Sequence, residues 1–152
     1  MSNLAQFFGA SQSPKSLVNN NSAAGFSFIN NTGVVFGSAK TILSGALTAN
    51  TLGTVLSISG GGGGVISLLL AKVLDATSRT VRLQVTIDGT VAFDFTSSAV
   101  AGANWTADVI GNFDGFGIRE ILVPFNSSLV IKLASSLTET DKLAIVTKYW
   151  TK

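Results

Sequence analysis

The sequence predicts an all-β chain, a β-sandwich or jelly-roll-like domain of about eight strands behind an extended N-terminal arm. Three observations predict it. From Lys40 onward, short runs rich in Val, Ile, Leu, Thr and Phe alternate with clusters of Gly, Asn, Ser and Asp, the rhythm of strands and turns. No segment combines a helical apolar period with capping residues over the length of a helix. Residues 1–37 differ in composition, holding Pro14, Asn19-Asn20-Asn21 and Asn30-Asn31, which favour turns over regular structure. A length of 152 residues suits one domain with a core, so the expected division is an attachment arm over 1–37 and a sandwich over 38–152.

The strands are expected at 40–48, 51–59, 64–74, 79–87, 91–96, 117–124, 128–134 and 142–150, with a short helical turn near 137–143 where Thr138, Glu139 and Thr140 supply cap-like residues. The glycine run 60–64 reads as a hairpin loop. A phosphate-binding loop would need Lys and Ser or Thr after the glycines, and Val65-Ile66 follows instead. Val81 to Ile87, Asp88-Gly89 and Thr90 to Phe95 form the clearest hairpin. Its inward set is expected to be Val81, Leu83, Val85 and Ile87 with Val91, Phe93 and Phe95. A plain two-residue loop would pair Ile87 with Thr90 and turn Val91 and Phe93 to the wrong face, so a three-residue loop or an adjacent bulge is expected. Pro124 lacks an amide proton and is expected to end a strand or lie on a sheet edge.

Composition excludes much chemistry. There is no Cys and no His, which removes disulfides, thiolate and Ser-His-Asp catalysis, zinc-thiolate sites and the H-E-x-x-H metal site. Net charge is +2 and the basic residues are scattered, so nucleic-acid binding is not expected. The first residues carry no basic region before an apolar run, and no uninterrupted apolar stretch is long enough for a span, so neither a secretory signal nor membrane insertion is expected. Charged residues make up 12% of the chain, about half the usual share, which leaves a neutral surface suited to being covered by copies of itself or by partners. Of eight carboxylates, only Asp108, Asp114 and Glu120 are placed to converge as an acid-base set. The expectation is therefore a protein without enzymatic activity, cofactor or metal.

Two sets of candidate site residues remain. Phe7 and Phe8 are the natural anchors of the arm, because an aromatic pair buries much apolar area per ordered residue. Trp105, Asn112 and Asp114 pair a stacking platform with hydrogen-bonding groups, the ingredients of a host-glycan site, although such a Trp more often caps a core. Asn112-x-Asp114-Gly115 resembles the middle of a calcium loop, but its first and twelfth ligand positions would be Ile110 and Ile121.

The opening Met1-Ser2-Asn3-Leu4-Ala5-Gln6-Phe7-Phe8-Gly9-Ala10-Ser11 resembles the starts of small tailed-bacteriophage virion proteins. The stretch from Ile121-Leu122-Val123-Pro124-Phe125 to Leu133 is similar to a recurring end of small phage tail or virion β-domains. The resemblance implies a structural virion component, tail-associated or decorating the capsid. It implies a homotrimer attached to other virion proteins by its arm, made in bacterial cytoplasm before assembly. A receptor-recognition role on host glycan is the alternative. No functional residue is carried over by it.

Overall fold

In the computed structural model, which describes residues 39–102, 105–114 and 117–152, every regular element is a β-strand. The described strands are β1 (Lys40–Leu43), β2 (Ala46–Leu47), β3 (Gly53–Ser59), β4 (Gly64–Val73), β5 (Val81–Ile87), β6 (Thr90–Thr96) and β7 (Thr106–Ile110). They continue as β8 (Asn112–Asp114), β9 (Gly117–Arg119), β10 (Val123–Phe125), β11 (Ser128–Ser135), β12 (Glu139–Thr140) and β13 (Leu143–Thr151). The expected arm lies outside the described residues.

Two sheets form the sandwich, and all their pairings are antiparallel. The first sheet runs β1-β13-β4, with β10 and β7 sharing the far side of β4. The second runs β3-β11-β5-β6. Ile66, Leu69, Ala71, Val73, Leu143 and Ile145 of the first meet Val81, Leu83, Val85, Leu129, Ile131 and Leu133 of the second in one core. Alternation sets the inward faces of β5 and β11, whereas β4 is buried along nearly its whole length.

The Asp88-Gly89 hairpin combines a two-residue turn with a bulge. Asp88 and Gly89 both have positive φ, 51° and 82°, as a type I′ turn requires. Ile87 pairs with Thr90 and Thr86 with Val91, and the register then shifts so that Val85 meets Phe93 and Leu83 meets Phe95. Ala92 is the extra residue. The bulge returns Phe93 and Phe95 to the core-facing side but leaves Val91 outside, 52% exposed, so Val91 does not belong to the inward set. Pro124 sits in β10, at the edge of its sheet.

Other boundaries differ from expectation. The stretch 40–48 breaks at Ser44-Gly45, where Gly45 has φ 70°, and Ala46-Leu47 pairs with β12 instead. The segment 137–143 forms no helical turn: Glu139 and Thr140 are extended against Leu47 and Ala46, and the turn falls at Asp141 with φ 54°. That extension lets Glu139 reach Arg79 and Thr138 Oγ1 accept the Ala49 N–H at 3.1 Å. The stretch 117–124 splits into β9 and β10. The connection 105–117 contains β7, whose residues pair with β4.

Gly63 and Gly64 explain part of the glycine run. A Cβ at Gly63 would stand 2.2 Å from the Phe125 carbonyl oxygen, and one at Gly64 would stand 2.2 Å from that of Trp150. Backbone is packed there too closely for any side chain. At Gly62 the nearest atoms belong to the flexible Lys152 side chain. Gly64→Ala should therefore abolish cooperative urea unfolding, while Gly62→Ala unfolds close to the wild type.

Arg79 is 2% exposed. It pairs with Asp75, lies 3.3 Å from Glu139 through Nε, and its Nη1 donates to the Lys142 carbonyl at 3.5 Å. Its backbone exchanges two hydrogen bonds with Val100, at 2.9 and 2.7 Å. One side chain thus ties the β4–β5 connection to β12 and to the approach of β13. Arg79→Ala strands the buried Glu139 carboxylate and should cost about 3–5 kcal/mol in urea denaturation. Adding Glu139→Gln should recover part of that loss, because the stranded charge is gone.

Candidate functional site

The two sheets do not close along the side bounded by β6 in one and by β7 and β10 in the other. A shallow groove of about 170 Å³ runs there, lined by Val85, Ile87, Ala92, Phe93, Val109, Ile110 and Val123. Two bulges build it. Ala92 is the extra residue of β6 against β5, and Val109 is the extra residue of β7 between the pairs Leu69–Ile110 and Leu70–Asp108. Each bulge brings two successive residues, Ala92-Phe93 and Val109-Ile110, to the groove.

The rim is apolar and exposed. Phe95 follows Phe93 on the same face, with ring centroids 6.2 Å apart, and is 41% exposed. Ile121 and Leu122, just before Val123, are 60% and 45% exposed. Every residue of β6 except the half-buried Phe93 is exposed. The groove is well below the roughly 300–1,000 Å³ of sites that enclose a small molecule or cofactor. It suits side chains presented by another protein surface. A second, more polar cleft of about 210 Å³, lined by residues including Asn50, Thr80, Arg82 and Thr96, is also below that range.

The carboxylates around these surfaces serve the fold. Asp94 accepts from Arg82 Nε and Nη2 at 2.8 and 2.7 Å and from Gln84 Nε2 at 2.9 Å. The Arg82 bonds, helped by Gln84, hold its carboxyl down to about 2. Asp88 accepts the backbone amides of Asn126, Ser127 and Ser128 at 2.7–3.0 Å, pinning the β5–β6 turn to the β10–β11 loop. The Ser127 amide first, then those of Asn126 and Ser128, hold its carboxyl well below the usual range. Glu120 pairs with Lys148, and Asp141 accepts the Gly45 amide at 2.9 Å.

Of the sequence-derived candidates, Phe7 and Phe8 lie outside the described residues, and so does the Asp114 side chain. Trp105 is half-buried against the core, and its carbonyl accepts the Val73 amide at 3.0 Å. Asn112 is half-buried in β8, opposite Arg119. β7 separates the two, and at about 3.3 Å per residue its length places them at opposite ends of the strand. They do not form one site. Asp108 is exposed on β7, and Glu120 is held by Lys148. The groove itself was not among the sequence candidates. Its signal is the bulge that the hairpin register demands, which puts Phe93 beside a free edge.

No family model matches the chain, and no curated protein does. Among solved structures it resembles dimeric latent PorU from Porphyromonas gingivalis, at 15% identity and a TM-score of 0.32 over 76% of this chain. The match spans 13% of that much longer protein.

The folded-state depression of the Asp88 carboxyl stabilises the protein in full above the ordinary carboxylate range, and this contribution is lost as pH falls from that range toward the depressed folded-state value. Asp88→Asn should therefore melt below the wild type at pH 7. The gap should narrow on acidification, because the wild type then loses the same charged acceptor. Thermal melts followed across the acid range check this.

Proposed function

We propose that the chain is a non-enzymatic structural component of a bacteriophage virion, tail-associated. In this reading the β-sandwich is one copy in an oligomer, and residues 1–37 attach it to a neighbouring virion protein. The observation that carries the structural part is the β6 edge, unpaired among the described residues, beside its apolar groove, a surface fit for protein contact and too shallow to enclose a substrate. The engagement of Asp75, Asp88, Asp94, Glu120, Glu139 and Asp141 in structural bonds supports a role without acid-base chemistry. The virion assignment rests on the resemblance of residues 1–11 and 121–133 to phage virion proteins, and the low charge of the chain supports it.

The arm gives the test. A full-length Phe7→Ser, Phe8→Ser protein should keep the wild-type circular dichroism spectrum and melting point but be missing from purified particles when it is the only copy supplied. Incorporation at the wild-type level would remove the arm from the attachment role. Retention of the protein in no particle at all, wild type included, would remove the virion assignment.

A further inference from the structure

We propose that β6 pairs with β6 of a second copy of this chain, antiparallel across a two-fold axis at Phe95, joining the two four-stranded sheets into one. The inference deepens the oligomeric part of the reading above and is independent of the virion assignment.

The first argument is that β6 is an unguarded edge. Sheet edges are ordinarily blunted by Lys, Pro, shortness, a bulge or a covering element. Among the described residues, β1 is four residues long and begins with Lys40, β10 is three residues long and contains Pro124, and β3 and β7 are broken by bulges at Val55 and Val109. β6 has seven residues, no Lys and no Pro, and its side chains other than Phe93 are exposed. Its bulge lies at Ala92, near the turn, so Phe93 to Thr96 pairs regularly with β5 and offers a regular outer edge. Its one charge, Asp94, is paired within its own sheet with Arg82 and accepts a hydrogen bond from Gln84.

The second argument is self-complementarity. Strand pairing keeps faces together, so the core-facing Phe93 and Phe95 must meet core-facing residues of the second copy. A two-fold axis at Asp94 would set Asp94 against itself, and like charges directly opposite destabilise a ladder. Moving the axis to Phe95 sets Asp94 opposite the second copy's Thr96. The outer-face row then reads Arg82, Thr96, the second copy's Asp94 and the second copy's Gln84. Arg82 and that second Asp94 stand two strand spacings apart, each about 4.8 Å, so opposite charges alternate across the junction. On the inner face the two Phe95 rings meet and extend the Phe93–Phe95 pair into a four-ring cluster along the groove mouth. A net charge of only +2 gives two copies little to repel. A two-fold pair does not itself build the homotrimer that the phage resemblance implies.

The absence of cysteine makes the test clean. Sedimentation equilibrium of the purified full-length protein should give a dimer, and Phe95→Lys should give a monomer with an unchanged circular dichroism spectrum. Under mild oxidation Phe95→Cys should become a disulfide-linked dimer, while Val91→Cys, more exposed but beyond the bulge, should stay uncrosslinked. A monomeric wild type, or an oligomer whose mass Phe95→Lys leaves unchanged, overturns the proposal. Faster crosslinking of Asp94→Cys or Val91→Cys than of Phe95→Cys overturns the register. Because the readout is the mass of the isolated protein, it is separate from particle incorporation: the edge pairing and the virion assignment can fail independently.

Discussion

The architecture depends on β4. Its ten residues are buried except for the half-buried Lys72, so it carries almost no choice of face. What it carries is pairing: β13 lies along one side, while β10 and β7 divide the other. Ser67 is the extra residue where the β13 register shifts, and Val109 is the extra residue where the β7 register shifts. Its start is equally constrained, because the Trp150 and Phe125 backbones close around Gly63 and Gly64 without room for a Cβ. A strand fixed on both sides and at its entry holds the first sheet rigid, and the second sheet packs on it through one layer of Leu, Ile and Val.

A second tie works at one end of the sandwich. Arg79 is buried between Asp75 and Glu139, and the Glu139 Oε1 atom finds no hydrogen-bond partner among the described residues. Burying an arginine is costly unless it is paired. The pairing recruits segments far apart in the chain: the β4–β5 connection, the Val100 segment, β12 and the Lys142 carbonyl. The opposite tie is Asp88, which gathers three consecutive amides of the β10–β11 loop. The two ties are chemically unlike: one is a buried ion cluster, the other an exposed carboxylate in a ring of backbone donors.

These long-range ties explain what was legible in the sequence and what was not. β3, β4, β5, β6, β11 and β13 were legible because each is a run of apolar or alternating residues bounded by turn residues. The bulge beside Asp88-Gly89 was legible too, because only a shift could return Phe93 to the face of Val85. β7 was hidden: five residues with an exposed Asp108 look like a connection until β4 supplies a partner. β12 was misread as a helical turn because Thr138, Glu139 and Thr140 suit a cap locally, and the claim of Arg79 on Glu139 is invisible at that range. Trp105 and Asn112, near in sequence, stand at opposite ends of β7. Proximity in sequence becomes distance in space once the intervening residues are a strand.

The groove follows from two bulges, of which the sequence pattern foresees only the one in β6. Without the first, Ala92 would stand opposite Val85 on the core face and Phe93 would point outward; without the second, Val109 would stand opposite Leu70. With them, each edge presents two adjacent apolar residues to the groove, Ala92-Phe93 and Val109-Ile110. Phe95 shows the result. It shares the face of Leu83, which is 1% exposed, yet is itself 41% exposed, because it lies on the outermost strand of its sheet. An aromatic ring oriented toward a core but not covered by it is therefore a feature of the backbone geometry. Apolar surface brought against that edge would cover it.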